Sequence, residues 1–186
     1  MKKRNVIALA GVALLSVGIL AACSGGSKSS SSSNGQKFSY VYETEPENLN
    51  YITSGKAATH DITGNLIDGL LENDKYGNLI PSLAKDWTVS QDGLTYTYKL
   101  RDDAKWYDSE GEEYADVTAK DFVTGIKYAA DNKSEMLYII QDSIKGLNDY
   151  VSGKNKDFSA VGVKAVDDHT LQITLNQPES YWNSKL

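Results

Sequence analysis

Trp87-Thr88-Val89-Ser90-Gln91-Asp92-Gly93-Leu94-Thr95-Tyr96-Thr97-Tyr98-Lys99-Leu100 is the most regular stretch of this chain. Trp87 and Val89 lead in, and then Leu94, Tyr96, Tyr98 and Leu100 alternate with Thr95, Thr97 and Lys99. An Asp-Gly pair between two such runs predicts a β-hairpin, because a tight turn that matches the strand twist needs residues tolerant of positive φ. Period two puts Leu94, Tyr96, Tyr98 and Leu100 on one face, which must be covered by another layer. A second hairpin reads out of Val161, Val163 and Val166 facing Leu171, Ile173 and Leu175 across Asp167-Asp168-His169. Between the two, Thr118-Ala119-Lys120-Asp121 opens a helix with a threonine cap and a carboxylate at the capping-box position. Phe122, Ile126 and Ala129 then share one helical face, with Val123 and Ala130 beside it. Glu135 to Tyr150 is a second, less regular helical candidate. The class is α+β, antiparallel hairpins packed by helices.

Upstream of the hairpin, Phe38 to Glu43 alternates and predicts a first strand, ended by Pro46. Ile62, Leu66, Ile67, Leu70 and Leu71 form one stripe and predict a helix over Thr59 to Leu71, with Thr59 at its N-cap. Gly64 and Gly69 weaken that helix and point to close packing against a neighbour. Asn73 to Asn78 is turn-like, and Gly77-Asn78 suits a tight hairpin.

The start of the chain has another character. Lys2-Lys3-Arg4 is followed by an apolar run from Val6 to Leu20 and by Leu20-Ala21-Ala22-Cys23. A basic start, an apolar run too short for a bilayer span of ~20 residues, and small residues before a cysteine predict a lipoprotein export signal. Cys23 is the chain's only cysteine and the predicted lipid-attachment site. Ser24 to Lys37, with serines at every position from 29 to 33, has the composition of a flexible tether. The expected organisation is a signal peptide over 1–22, a lipidated tether over 23–37 and a folded domain over 38–186, held at the outer face of the cell membrane.

Removal of 1–22 takes three of the 19 basic residues and none of the 25 acidic ones. The acidic balance that remains argues against nucleic acid as a partner. A single cysteine excludes an intrachain disulfide. Enzyme chemistry finds little support: His60 and His169 are the only histidines, one in a helix start and one in a turn, and neither sits in a nucleophile pattern. Metal-ligand spacings and a phosphate-cradling glycine loop are both missing, so no catalytic residue, metal or cofactor is expected. Asp102-Asp103 and Glu110, Glu112 and Glu113 read as solvated acidic loops.

Three segments carry a resemblance. Ile80-Pro81-Ser82-Leu83-Ala84-Lys85-Asp86-Trp87, then Tyr98-Lys99-Leu100-Arg101-Asp102-Asp103-Ala104-Lys105-Trp106, then Val117-Thr118-Ala119-Lys120-Asp121-Phe122-Val123 run in one order. This order closely resembles the extracellular solute-binding proteins of oligopeptide and dipeptide ABC transporters. Glu45-Pro46-Glu47-Asn48-Leu49-Asn50 and Val163-Lys164-Ala165-Val166-Asp167-Asp168-His169-Thr170-Leu171 extend it to nearly all of Phe38 to Leu186. With its lipobox, serine tether and many tyrosines, the chain looks most like the oligopeptide-binding lipoproteins of streptococci and their relatives. The resemblance implies a periplasmic-binding-protein-like fold of the three-domain type II class, here its N-terminal part and so an incomplete bilobal fold. It also implies capture of oligopeptides, delivery to ABC-transporter permease subunits, and membrane attachment through Cys23. In the family, the loop before the first helix lies at the cleft, which makes Ser54, Gly55 and Lys56 candidate peptide-binding residues. Gly55 suits close backbone approach, and Lys56 suits a ligand carboxylate. A truncated surface lipoprotein acting as an interaction or adhesion module is the alternative. Trp87 and Trp106 are expected to share an aromatic surface with the Phe122 helix face.

Overall fold

The structure, a computed structural model, describes residues 39–41 and 44–186. The signal, Cys23 and the tether lie outside the described residues. In chain order the elements are helix α1 (Ala57–Thr63) and strands β1 (Leu71–Asn73), β2 (Leu79–Pro81), β3 (Ala84–Val89), β4 (Thr95–Leu100), β5 (Lys105–Tyr107) and β6 (Glu113–Asp116). Helices α2 (Ala119–Asp131), α3 (Tyr138–Gln141) and α4 (Leu147–Val151) follow, and then strands β7 (Val163–Asp167) and β8 (Thr170–Thr174).

The two expected hairpins join into one antiparallel sheet of order β3-β4-β8-β7. They meet through their second strands, with Tyr98 opposite Leu171 and Tyr96 opposite Ile173. Tyr96, Tyr98, Leu100, Leu171 and Ile173 are all buried and Leu94, beside the turn, is half-buried, so the period-two reading holds along the strands. Gly93 takes φ +72° in the first turn, the conformation its position demands. Over the core face lie Ala129 and Ala130 of α2, with Phe122, Val123 and Ile126 half-buried beside them.

A short 3₁₀ turn, Trp182–Lys185, closes the core from the far end of the chain. Trp182 is fully buried, and its indole N–H donates to Tyr98 Oη at 3.0 Å. The Tyr98 hydroxyl in turn donates to Asn183 Oδ1 at 2.7 Å, and Tyr96 donates to the Glu179 carbonyl at 2.9 Å. Burial pushes the Tyr98 phenol far above its ordinary range, although the Trp182 hydrogen bond works the other way, so it remains a donor.

Several expectations need correction. Ser39–Val41 carry no strand, and the rest of the Phe38–Glu43 segment lies outside the described residues. The first helix starts at Ala57 and stops at Thr63; Lys56 is its N-cap, and Thr59 is buried inside it, donating to the Asn48 carbonyl at 2.8 Å. Its supposed stripe serves two purposes: Leu70 and Leu71 enter the core as the chain straightens into β1, while Leu66 is exposed. Gly69, just before β1, is closely packed: a Cβ there would lie 3.0 Å from the Leu71 carbonyl and 3.3 Å from that of Leu186. Val166 is exposed, because a register shift between Ala165 and Asp167 turns it away from the core face. The Glu135–Tyr150 helix is two pieces, α3 and α4, separated at Gly146, where φ is +74° and a Cβ would press on the Ala160 carbonyl. The tryptophans take separate roles: Trp87 packs on the core, whereas Trp106 donates to Asp121 Oδ2 at 3.3 Å at the start of α2. The β5–β6 hairpin was not foreseen. Its Asp108-Ser109-Glu110-Gly111 turn is the signal that was available, with Gly111 at φ +82°.

Helix α2 begins with the expected capping box: Thr118 N–H donates to Asp121 Oδ2 at 2.7 Å. It ends in a Schellman motif, with Lys133 N–H on the Ala130 carbonyl and Ser134 N–H on that of Ala129. Lys133 holds the left-handed position at φ +53°, where glycine is the usual residue. That conformation costs a side chain about 1 kcal/mol. Removing a charge near a helix C-terminus costs about 0.5 kcal/mol. Lys133→Gly is therefore expected to stabilise the domain by about 0.5 kcal/mol, read as a higher urea midpoint at unchanged slope.

Candidate functional site

The candidate loop is built by short-range polar bonds and then strapped to a distant segment. Asn50 starts it: its carbonyl accepts from Thr53 N–H at 3.3 Å and from Ser54 N–H at 3.0 Å. Ser54 is buried, and its hydroxyl is already used, accepting from Lys56 N–H at 3.2 Å and donating to Thr59 Oγ1 at 3.4 Å. Such a serine turn sets up the start of α1. The Ser54 carbonyl lies 2.7 Å from His60 Nε2.

The strap comes from the chain just after the Schellman end of α2. Ser134 Oγ donates to the Ile52 carbonyl at 2.6 Å, and Glu135 N–H donates to the Thr53 carbonyl at 3.0 Å. The Glu135 carboxylate then accepts the Gly55 N–H at 2.8 Å. Asn50 adds a bond from Nδ2 to Tyr128 Oη at 3.2 Å, from the outer face of α2. Gly55 is a site of close approach, and the neighbour is the chain itself: a Cβ there would lie 3.0 Å from Glu135 Oε2 and 3.1 Å from its Cβ. Lys56 is exposed and pairs with no carboxylate among the described residues. The loop thus brings Ser54, Gly55 and Lys56 together, with Ser54 as a framework residue and Gly55 and Lys56 at the surface. Ser134, Glu135 and His60 were missed; the first two lie about 80 residues away in sequence, and no local pattern links them to the loop.

Elsewhere the described residues hold a shallow cleft of about 250 Å³, lined by Ala130, Asp131, Lys133, Tyr150, Val151 and Lys156. Among the described residues no group of three His, Cys, Asp or Glu side chains is arranged to hold a metal. The acidic residues after β4 are paired: Asp102 with Lys85 at 2.8 Å and Asp103 with Arg101 at 3.4 Å. Lys85 beside Asp102 holds that exposed carboxyl below its usual range.

Residues 78–186 match the family model described as bacterial extracellular solute-binding proteins, family 5 Middle. The chain belongs to this family. The match takes in the sheet, α2 and the Trp182 closure. The chain is also 72% identical, over its whole length, to the oligopeptide-binding protein SarA of Streptococcus gordonii, and 66% identical to the oligopeptide-binding protein AliA of Streptococcus pneumoniae. It spans about 28% of the length of these curated relatives. Among solved structures, peptide-bound OppA of Listeria monocytogenes superposes with TM-score 0.63 at 33% identity, covering 73% of this chain and 26% of that one. The murein tripeptide binding protein MppA of Escherichia coli gives TM-score 0.67 at 28% identity, over 76% of this chain and 27% of that one. The α+β, binding-protein-like fold expected from the family 5 resemblance is the fold of these structures, present here in part.

Proposed function

We propose that this chain is the N-terminal part of a membrane-anchored substrate-binding lipoprotein that captures extracellular oligopeptides for uptake by an ABC transporter. The observation that carries the reading is the 72% and 66% identity, over the whole chain, to two proteins named for oligopeptide binding. The Cys23 lipid anchor and the extracellular face rest on the sequence motif at the start of the chain, and the permease subunits as partners rest on the family resemblance. In this role the described domain is mostly scaffold, and its Ser54–Lys56 loop supplies one side of the peptide contact. A peptide held in an extended form is bound through backbone groups, with side chains in roomy pockets. Lys56 suits that contact by an exposed ammonium that pairs with no carboxylate among the described residues, and Gly55 by an exposed backbone whose amide Glu135 already holds in place.

Calorimetric titration of the whole chain with short peptides tests this directly, with circular dichroism as the check on folding. Saturable heat is the expected result, with a dissociation constant on the order of a millimolar for one side of a site. A folded chain that releases no heat with any short peptide would count against a peptide contact on this domain.

A further inference from the structure

The Ser54–Gly55 peptide group is the most tightly held part of the loop. Its N–H donates to Glu135 Oε2 at 2.8 Å, and its C=O lies 2.7 Å from His60 Nε2. A carbonyl can only accept, so Nε2 carries the ring proton in this contact. The next peptide group is fastened by Lys56 N–H on Ser54 Oγ. Of these fastenings, the one from Glu135 is not local. It arrives from 80 residues away, on an exposed side chain whose other oxygen has no partner among the described residues. Glycine is the residue with most backbone freedom to lose, and here a charged acceptor restrains its amide. A loop already held in one conformation forgoes the ordering cost that a mobile loop would incur on binding.

We propose that Glu135 is a positioning residue for the peptide-contacting loop, its carboxylate fixing the Gly55 amide so that Gly55 and Lys56 meet a ligand in one backbone conformation. This deepens the peptide-binding reading and rests on it. Glu135 itself touches the loop and acts through it.

The test uses the whole ¹⁵N-labelled chain in three forms, wild type, Glu135→Ala and Glu135→Gln, with penta-alanine as the probe because it offers backbone without side-chain chemistry. Glu135→Ala is expected to leave the melting temperature within a few degrees, since the residue is exposed. It should speed hydrogen exchange at the Gly55 amide about tenfold and weaken penta-alanine binding about tenfold, the loss of one charge-assisted hydrogen bond. Glu135→Gln keeps an acceptor oxygen and should restore both values to within about threefold of wild type. A purely structural role predicts a fall in melting temperature and no rescue of binding that follows the Gly55 amide. Wild-type affinity in Glu135→Ala would overturn the proposal while leaving the function standing. Should wild type take up no penta-alanine, the peptide reading of this loop falls, and the Gly55 amide still decides the clamp: unchanged exchange in Glu135→Ala overturns it.

Discussion

Trp182→Ala is expected to destabilise the domain by about 3–5 kcal/mol, the range for deleting a large buried aromatic side chain. Three losses combine at this position. The fully buried indole leaves a cavity against the core face of the sheet. Its N–H no longer reaches Tyr98 Oη, which sits at 3.0 Å in the native fold. Its ring no longer packs on Tyr96, whose centroid lies 6.3 Å away. Against the ~5–15 kcal/mol that holds a typical domain together, the loss is a large share. Urea unfolding followed by tyrosine and tryptophan fluorescence measures it. Trp182→Phe keeps most of the volume and should cost about half as much; equal losses for the two substitutions would mean that packing volume is not what Trp182 contributes.

Lys185→Met should cost a comparable amount, about 3–5 kcal/mol, for a different reason. Glu179 is buried, and Lys185 Nζ lies 2.9 Å from its Oε2. Ser143 Oγ donates to the same oxygen at 3.1 Å, and Lys185 also donates to Ser143 Oγ at 2.8 Å. Taking away the ammonium leaves a buried carboxylate with one hydroxyl as partner. The pH dependence distinguishes this from simple loss of packing. In the native protein, burial pushes the Glu179 carboxyl up, but the hydrogen bonds from Lys185 and Ser143 and the Lys185 charge outweigh it, and the net shift is downward. A carboxyl lowered on folding contributes stability that is fully present above the unfolded value of ~4.3 and is lost as pH falls through the lower folded value. Without Lys185 the burial penalty prevails and the shift reverses. Relative to the native protein, Lys185→Met should then lose stability as pH rises through the ordinary carboxylate range, because the other lowered carboxyls contribute equally to both. Two parallel stability curves between pH 3 and pH 6 would sink this account of the pair. Glu179→Gln removes the charge along with the need for a counter-ion and should be the milder change.

Much of the scaffold is legible in the sequence because it depends on near neighbours. The Tyr96, Tyr98 and Leu100 alternation and the Asp-Gly turn specify a hairpin by themselves, and the Thr118–Asp121 capping box specifies where α2 starts. The joining of the two hairpins through β4 and β8 is a pairing across about 75 residues, for which period two supplies a face but no partner. Thr59 shows the opposite failure. A threonine before a helical stripe looks like a cap, but Asn50 and Ser54 had already turned the chain, so the helix starts earlier and Thr59 is buried within it. Lys133 carries no sign of its left-handed backbone, because lysine is not a residue that announces one. The candidate site divides in the same way. Ser54, Gly55 and Lys56 were placed by resemblance, whereas the Glu135 and His60 bonds that shape them are visible only once the chain is folded.

The Ser54–Lys56 loop is proposed above as the peptide-facing part of this domain. Amide chemical-shift mapping of the ¹⁵N-labelled chain during a penta-alanine titration tests it most directly. Saturable shifts concentrated at Thr53 to Ala57 and at Ser134 to Met136 are expected, with the β3-β4-β8-β7 sheet unmoved. Shifts gathered instead around the Ala130, Tyr150 and Lys156 cleft, or none at any peptide concentration, would contradict it.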